Sequence, residues 1–112
     1  MKTRKLVESI LESACTDNVN FYRQMFEEQD IDAVQDETWR KFILLARSLS
    51  KEDRETLLTF ARQVAVDSIS TICGGIDGVT ELGGTFMSLS LIDIEGQQHA
   101  GSLQDELLSI AS

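Results

Sequence analysis

Apolar residues recur at helical spacing from the first turn of the chain. Between about residues 3 and 15, Leu6, Val7, Ile10, Leu11 and Ala14 fall on one face with Glu8 and Glu12 opposite, which predicts an amphipathic helix. Residues 18 to 28 repeat the pattern with Val19, Tyr22, Met25 and Phe26 on one stripe, and Asp17 ahead of them is a suitable N-cap. The chain then runs Glu27, Glu28, Asp30, Asp32, Asp36 and Glu37 with no base among them. Repulsion along such a run resists regular structure in its middle, so a solvated connection is expected there. A third helix, about 37 to 48, carries Trp39, Phe42, Ile43 and Ala46 inward and Arg40, Lys41 and Arg47 outward.

The clearest start signal follows. Ser50-Lys51-Glu52-Asp53 has the form of a capping box with Asp at the third helical position, where its charge suits the positive end of the helix dipole. Leu57, Leu58, Ala61, Val64, Ala65, Ile69 and Ile72 then cover more than a narrow stripe. A helix over about 51–73 would be roughly 35 Å long and would be the central element. Gly74-Gly75 is expected to end it. Beyond the next glycines, Thr85 to Ile94 alternates, with Met87, Leu89 and Leu91 on one face and Phe86, Ser88, Ser90 and Ile92 on the other, the pattern of a strand. Glu95-Gly96 is a turn candidate and Gln97 to Ala100 a returning strand, after which Ser102-Leu103-Gln104-Asp105 repeats the capping pattern and opens a last helix.

The architecture these elements predict is mostly α, of the α+β class. About five helices surround a long central helix (about 51–73), with a small β-hairpin near residues 85–101, in a single domain over 1–112. A lone hairpin is marginal in water, so it must lie on the long helix or pair with a second copy across a dimer axis. The absence of proline agrees with a helical fold with few rigid loops. With 42% hydrophobic and 26% charged residues, the chain can build a core without staples.

Charge changes the picture more than composition does. Ten Lys and Arg against nineteen Asp and Glu leave a net of −9, and every base lies at or before Arg62. Residues 63 to 112 carry only Asp67, Asp77, Glu81, Asp93, Glu95, Asp105 and Glu106. Such a field repels phosphate backbones and anionic headgroups and attracts cationic patches, which argues against direct nucleic-acid or membrane binding. The basic start and Leu6 to Cys15 are interrupted as a signal sequence by Glu8 and Glu12, and no segment reaches a membrane span. A soluble cytoplasmic protein is expected.

The chemical inventory is thin. Cys15 and Cys73 lack the close spacing of a metal site and read as buried thiols, and no cofactor motif is present. The glycines between 74 and 84 have no Lys or Arg near or after them to neutralise phosphate. His99 is the only histidine; near a turn it reads as solvated, although a small enzyme using His99 with neighbouring carboxylates is the third reading of the chain. That reading requires a concave pocket holding His99 and an acid within hydrogen-bond reach.

What remains is binding, without catalysis. The first reading is a small acidic protein-binding module, an immunity-type inhibitor or adaptor that takes a basic partner such as a nuclease toxin. Bacterial immunity proteins share this profile of size and charge, a likeness that rests on no motif. The contact surface would be Glu27, Glu28, Asp30, Asp32, Asp36 and Glu37, or else Asp77, Glu81, Asp93 and Glu95. Its energetic centre would be an exposed aromatic such as Tyr22 or Trp39, residues that otherwise belong to the core. The second reading is a homo-oligomeric structural or regulatory protein, a homodimer through the 85–94 strand or the long helix. The bland alternative to all three is that the charge only maintains solubility.

Overall fold

The computed structural model describes residues 1–111. α1 (Thr3–Leu11) and α2 (Asn18–Glu28) are joined without a break by a π turn over Glu12–Asp17, so residues 3 to 28 form one rod. The apolar spacing explains the turn. Val7, Leu11, Cys15 and Val19 recur every four residues and all are buried. On a helix of 3.6 residues per turn such a stripe drifts by about 40° at each step. The i→i+5 bonding of a π turn admits more residues per turn and keeps the stripe facing inward. Asp17 lies inside this turn with helical backbone angles and caps nothing, which corrects its expected role.

The acidic connection contains only a short 3-10 turn, Ile31–Ala33, opened by the Asp32 N–H donating to Asp30 Oδ1 at 3.0 Å. α3 (Glu37–Ser48) follows, capped by Asp36, whose Oδ1 accepts the Trp39 N–H at 3.0 Å. Ile43 and Ala46 are buried as expected, Trp39 is half-buried, and Phe42 is exposed. Lys41 and Arg47 are exposed as predicted and Arg40 is half-buried, but the two guanidinium groups bond back to the main chain. Arg40 Nη1 donates to the Ile31 carbonyl at 2.6 Å and Arg47 Nε to the Phe26 carbonyl at 2.9 Å, so both fold back onto the connection and hold its main chain.

α4 (Lys51–Asp77) begins at the predicted cap, where Ser50 Oγ accepts the Asp53 N–H at 3.1 Å. It does not stop at Gly74-Gly75. Both glycines lie buried inside the helix, which ends instead at Gly78 in the left-handed conformation, φ +80°. The chain beyond folds back over the last turn, Val79 and Thr80 donating to the Gly74 carbonyl at 3.0 and 3.1 Å. A methyl group at Gly74 would collide with Thr80 and Gln104, and one at Gly75 with Leu82. These glycines serve close approach, not chain reversal.

The expected hairpin is absent. Among the described residues there is no strand, only isolated antiparallel bridges at Leu82 with Thr85 and Ile92 with Gln98. The turn at residues 93 to 97 forms, with the Asp93 N–H donating to the Gln97 carbonyl at 3.0 Å and the His99 N–H to the Leu91 carbonyl at 2.8 Å. The return arm is too short to continue the ladder, because the chain enters α5 (Leu103–Ala111) at once. Phe86 to Ser90 are left exposed and outside any strand or bridge. The chain is mostly helical, with four separate helical bodies where five were expected, since the first two are fused.

Two buried clusters hold these bodies together. Val7, Leu11, Cys15, Val66, Cys73, Leu103 and Leu107 join α1, α5 and the C-terminal half of α4. Val19, Phe26, Ile43, Ala46 and Leu58 join α2, α3 and its N-terminal half. Arg23 adds a fork to Glu55 at 2.9 and 3.0 Å between α2 and α4. Cores in series make the molecule long, 48 × 31 × 27 Å.

Gly75→Ala tests the close approach over the end of α4. Alanine gains about 0.8–1 kcal/mol of helix propensity over glycine, but overpacking against Leu82 costs about 1–3 kcal/mol. The expected result is a lower urea midpoint than wild type, whereas an unstrained helix interior would give a higher one.

Candidate functional site

The acid run is the first of the two surfaces marked by the sequence, and all six of its carboxylates are exposed. Asp30 and Asp36 also accept backbone N–H groups of the connection and of α3. No salt bridge reaches any of the six among the described residues. Two of the three bases of α3, Arg40 and Arg47, direct their guanidinium groups at the carbonyls of Phe26, Gln29, Ile31 and Val34, and the third, exposed Lys41, forms no salt bridge with the run. The negative charge is therefore left facing solvent.

Beside it stands an aromatic group. Trp39 packs with Phe21 at 6.4 Å, with Tyr22 at 5.7 Å and with Phe42 at 5.5 Å between ring centroids, mostly edge to face. Tyr22 and Trp39 are half-buried, and Tyr22 leans on the second core cluster, so these two rings belong partly to the core and partly to the surface. Phe21 is exposed. It forms one wall of two adjoining hollows, the first completed by Met25, Trp39, Val34 and Asp36, the second by Met25, Glu28 and Asp30. No Lys or Arg lines either hollow. Sequence reasoning passed over Phe21. The signal was a large ring placed off the apolar stripe of α2.

The second acidic set does not form one surface. Glu81 and Glu95 are exposed, whereas Asp77 and Asp93 are drawn into the fold. Asp77, in the last turn of α4, accepts the backbone N–H groups of Gly101, Leu103 and Gln104 at 2.6, 3.1 and 2.8 Å. It thus caps the start of α5, the role the sequence gave to Ser102, and supplies negative charge where the helix dipole is positive. Gln104 completes the joint by donating to the Ser70 carbonyl at 3.0 Å.

Asp93 organises the turn. Its Oδ1 accepts the N–H groups of Glu95 and Gln97 at 2.9 and 3.0 Å, and its Oδ2 lies 2.8 Å from His99 Nε2 and 3.5 Å from the Met1 ammonium. The His99 hydrogen bond, the backbone donors and that ammonium together hold its carboxyl down at about 2, against a smaller opposing effect of burial. His99 itself is 2% exposed, not solvated as expected. Its Nδ1 meets Thr3 Oγ1 at 2.9 Å. Hydroxyl, imidazole and carboxylate thus stand in line, the order a nucleophilic triad uses. Here the line ties the first turn of α1 to the 93–99 turn, and the hollows described on the surface lie elsewhere, against α2, α3 and α4. The acid beside His99, one part of the geometry that the enzyme reading requires, is present.

Both cysteines are buried, and burial raises both thiols above their ordinary pKa, with Asp77 adding to the rise at Cys73. Among the described residues no group of three or more His, Cys, Asp or Glu side chains is placed to hold a metal ion. Among the described residues no helix is long and apolar enough to cross a membrane. Compared with protein-family models, with curated proteins and with solved structures, the chain matches none.

Two variants separate the structural acids from the surface ones. Asp77→Ala removes the acceptor of three N–H groups and is expected to cost about 1–2 kcal/mol, read from urea unfolding. For Asp93 the folded carboxyl lies below its ordinary value of 3.8, so its contribution is complete above about 4 and is lost as the pH falls through about 2. Asp93→Asn is therefore expected to be less stable than wild type at neutral pH, with the gap closing between about pH 4 and 2. A gap that stayed constant over that range would show that Asp93 contributes no ionic stabilisation.

Proposed function

We propose that the chain is a protein-binding module that receives a basic partner on the face formed by α2, the acidic connection and the start of α3. The observation that carries this reading is the combination at Phe21 and Trp39: open aromatic hollows edged by Glu28, Asp30 and Asp36, within a run of six exposed carboxylates that make no ion pair inside the chain. A Lys or Arg entering there would meet ring faces and carboxylates together, which favours a cation over any other side chain. The carboxylates steer the encounter and the rings supply the anchor. An inhibitor that covers the basic active site of a nuclease, as immunity proteins do, is the form of this activity that suits a 112-residue chain of net charge −9. Glu81 and Glu95 lie outside this face, and Asp77 and Asp93 have structural duties, so of the acids only those from Glu27 to Glu37 are assigned to the contact.

The test begins with capture of partners from the native host on the tagged protein at low salt, identification of any basic protein retained, and titration of that purified protein. Affinity is expected to fall steeply with salt. Trp39→Ala is expected to weaken it by at least about tenfold, the effect of losing an anchor of about 1.4 kcal/mol or more. Reversal of Asp30, Asp32, Asp36 and Glu37 to Lys should abolish binding. If nothing basic is retained, or binding survives the reversal, the proposal fails.

A further inference from the structure

α4 has a face that neither core covers. Leu57, Phe60, Val64, Ser68, Thr71 and Ile72 fall within an arc of about 120° and extend about 22 Å along the helix. No Asp, Glu, Lys or Arg shares that arc between Leu57 and Ile72. Phe60 is 65% exposed, Ile72 55% and Val64 47%. The two hydroxyls on the stripe donate within the helix, Ser68 to the Val64 carbonyl at 2.7 Å and Thr71 to the Asp67 carbonyl at 3.0 Å, so neither brings an unsatisfied donor to a dry contact. At the N-terminal end the apolar surface widens across a hollow to Phe42 and Leu45 of α3, which are also exposed.

We infer that this face is the contact surface of a homodimer, with a second copy of the chain docked on it about a two-fold axis, α4 against α4. Three observations choose a second copy as the occupant. The first is area. A compact chain of 12.5 kDa exposes about 6,200 Å², whereas this one exposes 7388 Å². The excess of about 1,200 Å² is larger than the roughly 800 Å² that each partner covers in an interface of standard size, so an elongated chain of this kind has surface to spare for one. The second is shape. The Cα radius of gyration is 17.3 Å, against about 13 Å for a compact monomer of this length. Two such bodies laid side by side along their longest element would make a rounder particle than either alone. The third is charge. Two copies of a chain at −9 repel through most of their surface, and the stripe is a face through which they can meet without opposing carboxylates. The self-complementary contact that a two-fold axis demands is available to an uncharged helix face crossing its own copy.

This inference is independent of the basic-partner reading, and salt separates the two. A contact between uncharged faces of like-charged molecules holds or tightens at high ionic strength, while capture of a basic partner weakens. Sedimentation velocity and light scattering on the purified chain are expected to give twice the 12.5 kDa monomer mass, in low and in high salt. Val64→Asp, which places a charge in the middle of the stripe, should give a monomer with the wild-type helical circular dichroism. Phe60→Ser removes a ring that is mostly exposed in the single chain and keeps the test decisive should Val64→Asp not fold. It is expected to raise the dimer dissociation constant by at least about tenfold. A wild type that remains monomeric up to about 100 µM, a concentration at which contacts of even modest affinity are filled, would overturn the inference. So would a dimer that Phe60→Ser leaves unchanged.

Discussion

Both cores of this molecule share one helix. The N-terminal half of α4 contributes Leu58 to one buried cluster and the C-terminal half contributes Val66 and Cys73 to the other, while the α1–α2 rod runs past both. A helix enclosed by a single core would need an apolar stripe on one side. One that serves two cores in succession on the same side needs no more: the buried Leu58, Val66 and Cys73 fall within an arc of about 80°, and Leu57, Phe60, Val64 and Ile72 lie off it. The same demand explains the π turn. A rod that must face two clusters in turn cannot let a stripe of period four drift round its axis, and the widened turn at Glu12–Asp17 prevents it. Length is the consequence, with surface that a single round core would have hidden.

Local signals in the sequence were read correctly where their partners were also local. The apolar positions of α1 and α2, those of α3 apart from the exposed Phe42, and the Ser50 cap concern residues at most one or two turns apart, and periodicity reports such relations directly. Apart from Phe42 and Asp17, whose cap the continuous helix displaced, the failures involve distance along the chain. Asp77 and the start of α5 are separated by more than twenty residues, so nothing around Ser102 could show that its capping role was already filled. His99 looked solvated because its neighbours in sequence are polar, yet it is enclosed by Thr3 and Asp93, one of which lies ninety-six residues away. Gly74-Gly75 has the composition of a helix end. Only the returning Thr80 and Leu82 make it a helix interior where a side chain has no room. The hairpin failed for a related reason: alternation marks a segment able to pair, and Phe86 to Ser90 has no partner strand within reach.

The candidate site was legible as charge and illegible as geometry. Counting acids identified two groups of carboxylates and gave them equal standing, because formal charge does not distinguish a carboxylate that faces water from one that closes a turn. Asp77 and Asp93 between them accept five backbone N–H groups, and Asp93 also holds His99 and the chain terminus, so their negative charge is answered inside the fold. The run from Glu27 to Glu37 is different because of two arginines. Had Arg40 and Arg47 turned their guanidinium groups to that run, they would have paired with two of its six carboxylates. Bent back to four main-chain carbonyls, they brace the connection and form no salt bridge with its carboxylates. An electrostatic surface is thus a product of where the bases hydrogen-bond as much as of how many acids there are. The acids of the connection face solvent without ion pairs in part because the two arginines that could have bridged to them hold the chain that carries them.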